Sequence, residues 1–118
     1  MKIDYNLQLN KNNKLQHFLN IENLSKEHIN EIIDLADNYI SSNSNKFKDL
    51  EGKTIASLFF EPSTRTKTTF ELASKRLSAD FINIDIANSS TLKGESILDM
   101  IKTLEAMECD VFIVRHSS

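Results

Sequence analysis

Thr54-Ile55-Ala56-Ser57-Leu58-Phe59-Phe60 is a mostly apolar run of strand length, and Pro62 stops it. From Thr64 to Leu77 the pattern turns helical, with Phe70, Ala73 and Leu77 on one face. Phe81 to Ile86 reads as a second strand, in which Ile82, Ile84 and Ile86 alternate with Asn83 and Asp85. A polar loop follows from Asn88 to Gly94. Ser96-Ile97-Leu98-Asp99 then matches a capping-box pattern and opens a helix. That helix is expected to turn Ile97, Ile101, Leu104 and, at its end, Met107 inward. Val111-Phe112-Ile113-Val114 is a third strand, apolar enough to be buried. The order from residue 54 is β-α-β-α-β. Helices between successive strands imply right-handed crossovers and a parallel β-sheet with flanking helices, the α/β class.

Upstream, Ile29, Ile32, Ile33, Ala36 and Ile40 fall at the spacing of one helical face. Ser25 is a good N-cap for that helix, and Leu24 and Ile29 stand at the two staple positions. The helix fades into Ser41-Ser42-Asn43-Ser44-Asn45, a loop by composition. Residues 1–16 are polar and lack a period, so a flexible N-terminal extension is expected there, with the domain proper over 17–118.

The chain has 118 residues, enough for one domain with a core. Two glycines and one proline exclude collagen-like and Pro/Gly-rich classes. A net charge of -3 argues against a general nucleic-acid binder, so any anion site must be built locally. The single cysteine, Cys109, allows no internal disulfide and reads as a buried thiol. No apolar stretch approaches the roughly 20 residues of a membrane span. Met1 to Asn6 offer no apolar segment of a secretory leader, so a cytoplasmic location is expected. His17, His28 and His116 lie in three different elements, which speaks against a metal site.

In parallel sheets ligands collect beyond the carboxyl ends of the strands. After the first strand come Glu61-Pro62-Ser63-Thr64-Arg65-Thr66, where strand turns into helix. A helix start offers free N–H groups and the positive end of the dipole, suited to an anion. No glycine is present, so this is neither a Walker loop nor a Rossmann fingerprint. After the second strand come Ser89, Ser90, Thr91 and Lys93, and after the third Arg115 and His116. An ordinary N-cap and solvated surface charges would explain each stretch alone. Together they describe a pocket for a small phosphorylated or doubly anionic molecule. Arginine suits that task because its planar fork bridges two oxygens.

Phe59-Phe60-Glu61-Pro62-Ser63-Thr64-Arg65-Thr66, Ser89-Ser90-Thr91-Leu92-Lys93-Gly94-Glu95-Ser96 and Ile113-Val114-Arg115-His116 resemble, in order and spacing, the signatures of the aspartate/ornithine carbamoyltransferase family. The likeness runs from about Gln16 to Ser118. Glu61 before the S-T-R-T stretch resembles the aspartate branch, whose ornithine counterparts usually carry lysine there. The resemblance implies transfer of the carbamoyl group of carbamoyl phosphate to the amine of L-aspartate in pyrimidine biosynthesis. Two alternatives remain: another amino acid such as ornithine as acceptor, or a truncated, non-catalytic phosphate-binding or carbamoyl-phosphate-binding module.

The roles implied by the resemblance fall on Ser63, Thr64, Arg65 and Thr66 as the residues that hold carbamoyl phosphate. Arg65 would span phosphate and carbonyl oxygens, and Thr66 would polarise the carbonyl. Arg115 matches a second arginine of that site. Ser89 and Lys93 match a loop that enters the neighbouring subunit's active site. The family's basic assembly is a homotrimer, with room for a regulatory subunit, and its catalysis uses no metal or organic cofactor. The likeness stops just after the third strand. An incomplete carbamoyl-phosphate-binding domain is therefore expected, without the aspartate-binding domain and inactive by itself.

Overall fold

A computed structural model describes residues 7–86 and 96–116. The chain divides into two compact units, Met1–Asn43 and Ser44–Ser118. In the first, α1 runs over Lys26–Ser41. Ser25, in extended conformation, caps it by accepting from the His28 N–H, and Leu24 at the staple position is buried. The expected apolar face exists as a helix face but is not covered: Ile33 and Ile40 are exposed.

Residues 7–16, read from composition as extension, are organised around Gln8. Its side chain is fully buried and accepts from the N–H groups of Leu19 and Asn20 at 2.7 and 3.0 Å. Its carbonyl accepts from Gln16 N and His17 N. Leu9 and Leu15 form an antiparallel bridge across a turn in which Asn13 takes φ 62°, a region asparagine tolerates.

The second unit holds β1 (Thr54–Phe59), α2 (Thr64–Arg76), β2 (Asp80–Asp85), α3 (Ile97–Ala106) and β3 (Val111–Arg115). The strands form a three-stranded parallel sheet in the order β2-β1-β3, the α/β arrangement expected. Ala56 pairs with Ile82 and Phe112, and Leu58 with Ile84 and Val114, so these residues share one sheet face. Ala56 and Leu58 join Ile86, Leu104 and Cys109 in the core, with Met100, Ile101, Phe60 and Phe112 packed around it. Burial of Cys109 agrees with its reading as an unpaired thiol.

Several expected inward faces differ in detail. On α3, Leu104 is buried but Ile97 and Met107 are exposed. On α2, Phe70 is exposed and Ser74 is the buried residue. Ser74 tolerates burial because its hydroxyl donates to the Phe70 carbonyl at 2.7 Å. The third strand is not buried as its composition suggested. Among the described residues it pairs with β1 alone, and Val111 and Val114 lie 40% and 52% exposed.

Both helices of this unit end in Schellman motifs without glycine. Ser78, at φ 67°, donates to Lys75 O while Ala79 N reaches Ser74 O. Glu108, at φ 68°, donates to Glu105 O while Cys109 N reaches Leu104 O. The second motif delivers Cys109 into the core next to Leu104 and aims the chain into β3. Among the described residues no helix is long and apolar enough to cross a membrane.

Candidate anion site at the strand ends

With strand order β2-β1-β3, the crossover from β1 leads to one side and β3 lies on the other. The carboxyl ends of β1 and β3 are therefore the place where ligands gather in such sheets. Phe59 is in register with Arg115, and Phe60 N donates to the Arg115 carbonyl at 2.9 Å, carrying the pairing one residue past β1. This register sets Arg115 beside the turn from β1 into α2.

Arg115 binds that turn through two nitrogens. Its Nε donates to Glu61 Oε1 at 2.7 Å. Its Nη1 donates to Ser63 Oγ at 2.7 Å and to Thr66 Oγ1 at 2.9 Å. Three residues of one turn, 49 to 54 positions away in sequence, thus converge on one guanidinium, whose side chain remains 45% exposed. The pair with Glu61 is half open to water, so its value lies in orientation more than in stability.

Ser63 is the N-cap of α2 by position, yet its hydroxyl makes no capping bond and serves Arg115 instead. The N–H groups of Thr64, Arg65 and Thr66 consequently have no partner among the described residues. No acidic residue lies in the first turn of α2, and Arg65 and Lys67 add positive charge there. The arrangement favours an anion through free donors, dipole and guanidinium together. Arg65 and Thr64 are exposed, and their side chains make no hydrogen bond or ion pair among the described residues. Only the Arg65 carbonyl is used locally, accepting from Thr69 Oγ1.

The structure therefore brings together Ser63, Thr66 and Arg115 by direct contact, and holds Thr64 and Arg65 in the same turn. Ser89 and Lys93 lie outside the described residues. Two participants go beyond the sequence-derived set: Glu61, which grips Arg115, and Phe60, whose ring lies 4.9 Å from that of His116. Both sit inside the quoted motifs, but only the β1–β3 register reveals whom they meet.

A cavity of about 650 Å³ in the N-terminal unit is bordered by Lys14, Glu22, Glu27, His28 and Glu31. His28 Nε2 donates there to the Asn13 carbonyl at 2.9 Å, because a carbonyl can only accept. Its Nδ1 lies 2.6 Å from Ser25 Oγ. Three carboxylates against one lysine make this lining unfavourable for an anion, and the strand ends are the better site.

Residues 16–118 match the family model described as aspartate/ornithine carbamoyltransferase, carbamoyl-P binding domain. The chain is similar to the catalytic subunit of M. jannaschii aspartate transcarbamoylase, at 37% identity and TM-score 0.75, over 88% of this chain and 35% of that one. It is similar as well to Trypanosoma cruzi aspartate transcarbamoylase solved with aspartate and phosphate, at 35% identity and TM-score 0.69, over 80% and 31% of the two chains. The same enzyme solved with carbamoyl aspartate and phosphate matches at 35% identity and TM-score 0.69, over 80% and 30%. The chain spans about a third of the length of these solved relatives. Its strand-end motifs, its sheet order and the family match over 16–118 agree, and the chain belongs to the aspartate/ornithine carbamoyltransferase family, in its carbamoyl-phosphate-binding domain.

Proposed function

We propose that this domain supplies the carbamoyl-phosphate half of an aspartate carbamoyltransferase. The observation that carries the reading is the convergence of Arg115 on Ser63 and Thr66 at the uncapped start of α2, beside Arg65, whose side chain has no partner among the described residues. The solved relatives, one of them holding aspartate and phosphate, support aspartate over ornithine, as does Glu61 ahead of Ser63-Thr64-Arg65-Thr66.

In the reaction the unprotonated amine of L-aspartate attacks the carbonyl carbon of carbamoyl phosphate. A C–N bond forms and the carbonyl becomes a tetrahedral oxyanion. The bond from carbon to the bridging oxygen then breaks, phosphate departs with that electron pair, and it takes up the proton that the nitrogen loses. Arg65 spans phosphate and carbonyl oxygens, and Thr66 hydrogen-bonds the carbonyl oxygen, so both act most strongly where charge develops. Arg115, Ser63, Thr64 and the N–H groups of the α2 start hold the phosphate. Ser89 and Lys93 complete the site from the neighbouring subunit of a homotrimer, and such a trimer offers a surface to a regulatory subunit. The pathway is pyrimidine synthesis and the compartment the cytoplasm.

Much of the rate comes from holding amine and carbonyl in register, worth up to roughly 7–11 kcal/mol in favourable cases. The residues that hold the two carboxylates of aspartate are proposed to lie outside these 118. Calorimetry of the 118-residue chain with carbamoyl phosphate, beside a carbamoyl-aspartate colour assay, tests this division. Saturable binding without turnover is expected. Turnover proportional to chain concentration, or no binding, contradicts it.

A further inference from the structure

Arg115 is the last residue of β3, and its side chain makes three bonds at a strand end open to water. A strand end frays unless something beyond the last ladder bond holds it. Among the described residues, two contacts act there. The Arg115 carbonyl accepts from Phe60 N at 2.9 Å. The next residue, His116, sets its imidazole against the Phe60 ring, centroids 4.9 Å apart and tilted by 56°. Phe60 in turn packs on the core cluster of Ala56, Leu58 and Leu104. The imidazole is exposed and adds little to core burial.

We propose that His116 is a positioning residue for Arg115: its ring, held against Phe60, fixes the strand end from which the guanidinium reaches Ser63 and Thr66. The inference rests on the reading of Arg115 as part of the anion site. The chain runs Arg115-His116 while the ladder runs Phe60-Arg115, so the aromatic pair closes a small loop about the Arg115 carbonyl. Opening that loop lets the backbone at Arg115 swing. A small swing is enough to lengthen and weaken the bonds of 2.7 and 2.9 Å to the Ser63 and Thr66 hydroxyls. What matters in this role is the ring face, not the ability of imidazole to carry a proton.

The test uses the 118-residue chain, with inorganic phosphate as the probe, and compares His116→Ala with His116→Phe. Two quantities are read: phosphate affinity by calorimetry and the amide exchange rate of Phe60 by NMR. His116→Ala is expected to weaken phosphate about threefold to tenfold and to speed Phe60 exchange by a similar factor, the scale of one lost aromatic pair. His116→Phe is expected to restore both. Amides of Ile55 to Leu58 serve as the control and are expected to keep their protection in both variants. Phenylalanine as weak as alanine overturns the proposal, because the imidazole itself would then be the active group. Unchanged Phe60 exchange in His116→Ala overturns it as well. Absence of saturable phosphate binding by the unaltered chain would instead count against the site reading, while Phe60 exchange still decides the clamp.

Discussion

Arg115 and Glu61, 54 positions apart in sequence, meet through Nε and Oε1 at 2.7 Å, and the carboxylate stands beside a group read as an anion binder. Glu61 thus orients the guanidinium while adding an unfavourable charge near the phosphate. Glu61→Gln keeps an acceptor for Nε and removes the charge. Because the pair is half exposed, the gain is small: phosphate is expected to bind about two- to fivefold tighter. Glu61→Ala, which frees the guanidinium, is expected to bind no tighter than the unaltered chain. Calorimetry on both variants checks the order.

Arg65→Lys keeps the charge and loses the fork. In an enzyme of the length of the solved relatives, the substitution is expected to lower kcat by about 10²-fold or more, the scale of a lost oxyanion donor. Steady-state kinetics with carbamoyl phosphate varied reads it. Near-normal turnover would remove Arg65 from its proposed role.

Lys93 is proposed to act across a subunit boundary. Hybrid trimers that mix Lys93→Ala with Arg65→Ala chains are expected to regain part of the activity, since each chain lends the other its intact half-site. Hybrids as inactive as their parents would place Lys93 within its own chain or outside catalysis.

Ser57 is fully buried, and its hydroxyl donates to Asn83 Oδ1 at 2.9 Å across the β1–β2 register. The two ends of this bond differ in burial, because Asn83 is exposed. Asn83→Ala strands a buried hydroxyl and is expected to cost about 1–3 kcal/mol. Ser57→Ala leaves an amide that water can serve, and its expected cost is about 0.5–1.5 kcal/mol. Urea unfolding of the two variants measures the asymmetry.

Much of this fold was legible in the sequence. The β-α-β-α-β order, the Ser25 and Ser96 caps and the parallel sheet follow from periodicity and capping chemistry, and the structure has them all. The helix ends were harder, because Ser78 and Glu108 take the positive φ at which glycine usually marks a stop. The third strand read as buried from its apolar composition, and among the described residues Val111 and Val114 stay exposed. Ser63, Thr64, Arg65 and Thr66 were visible as a helix start, but the partners of Arg115 were not. They depend on the Phe59–Arg115 register, a pairing across 56 positions that no local pattern encodes.

The glycine-free helix end gives its own test. Glu108 makes no side-chain bond among the described residues, so Glu108→Gly relieves the left-handed backbone at no lost contact. It is expected to stabilise the chain by up to about 1 kcal/mol, the strain of a non-glycine residue less the entropy glycine adds to the unfolded chain. Ser78→Gly is expected to gain less, because Ser78 Oγ donates to the Phe47 carbonyl.

Amide chemical-shift mapping of the 118-residue chain during titration with carbamoyl phosphate examines the anion site most directly. Saturable shifts are expected at Thr64, Arg65, Thr66 and Arg115, lost in Arg65→Ala and weakened as salt rises, since this open site is screened. Shifts confined to the N-terminal unit around Lys14 and His28, or none at all, would contradict the assignment of the strand ends as the binding site.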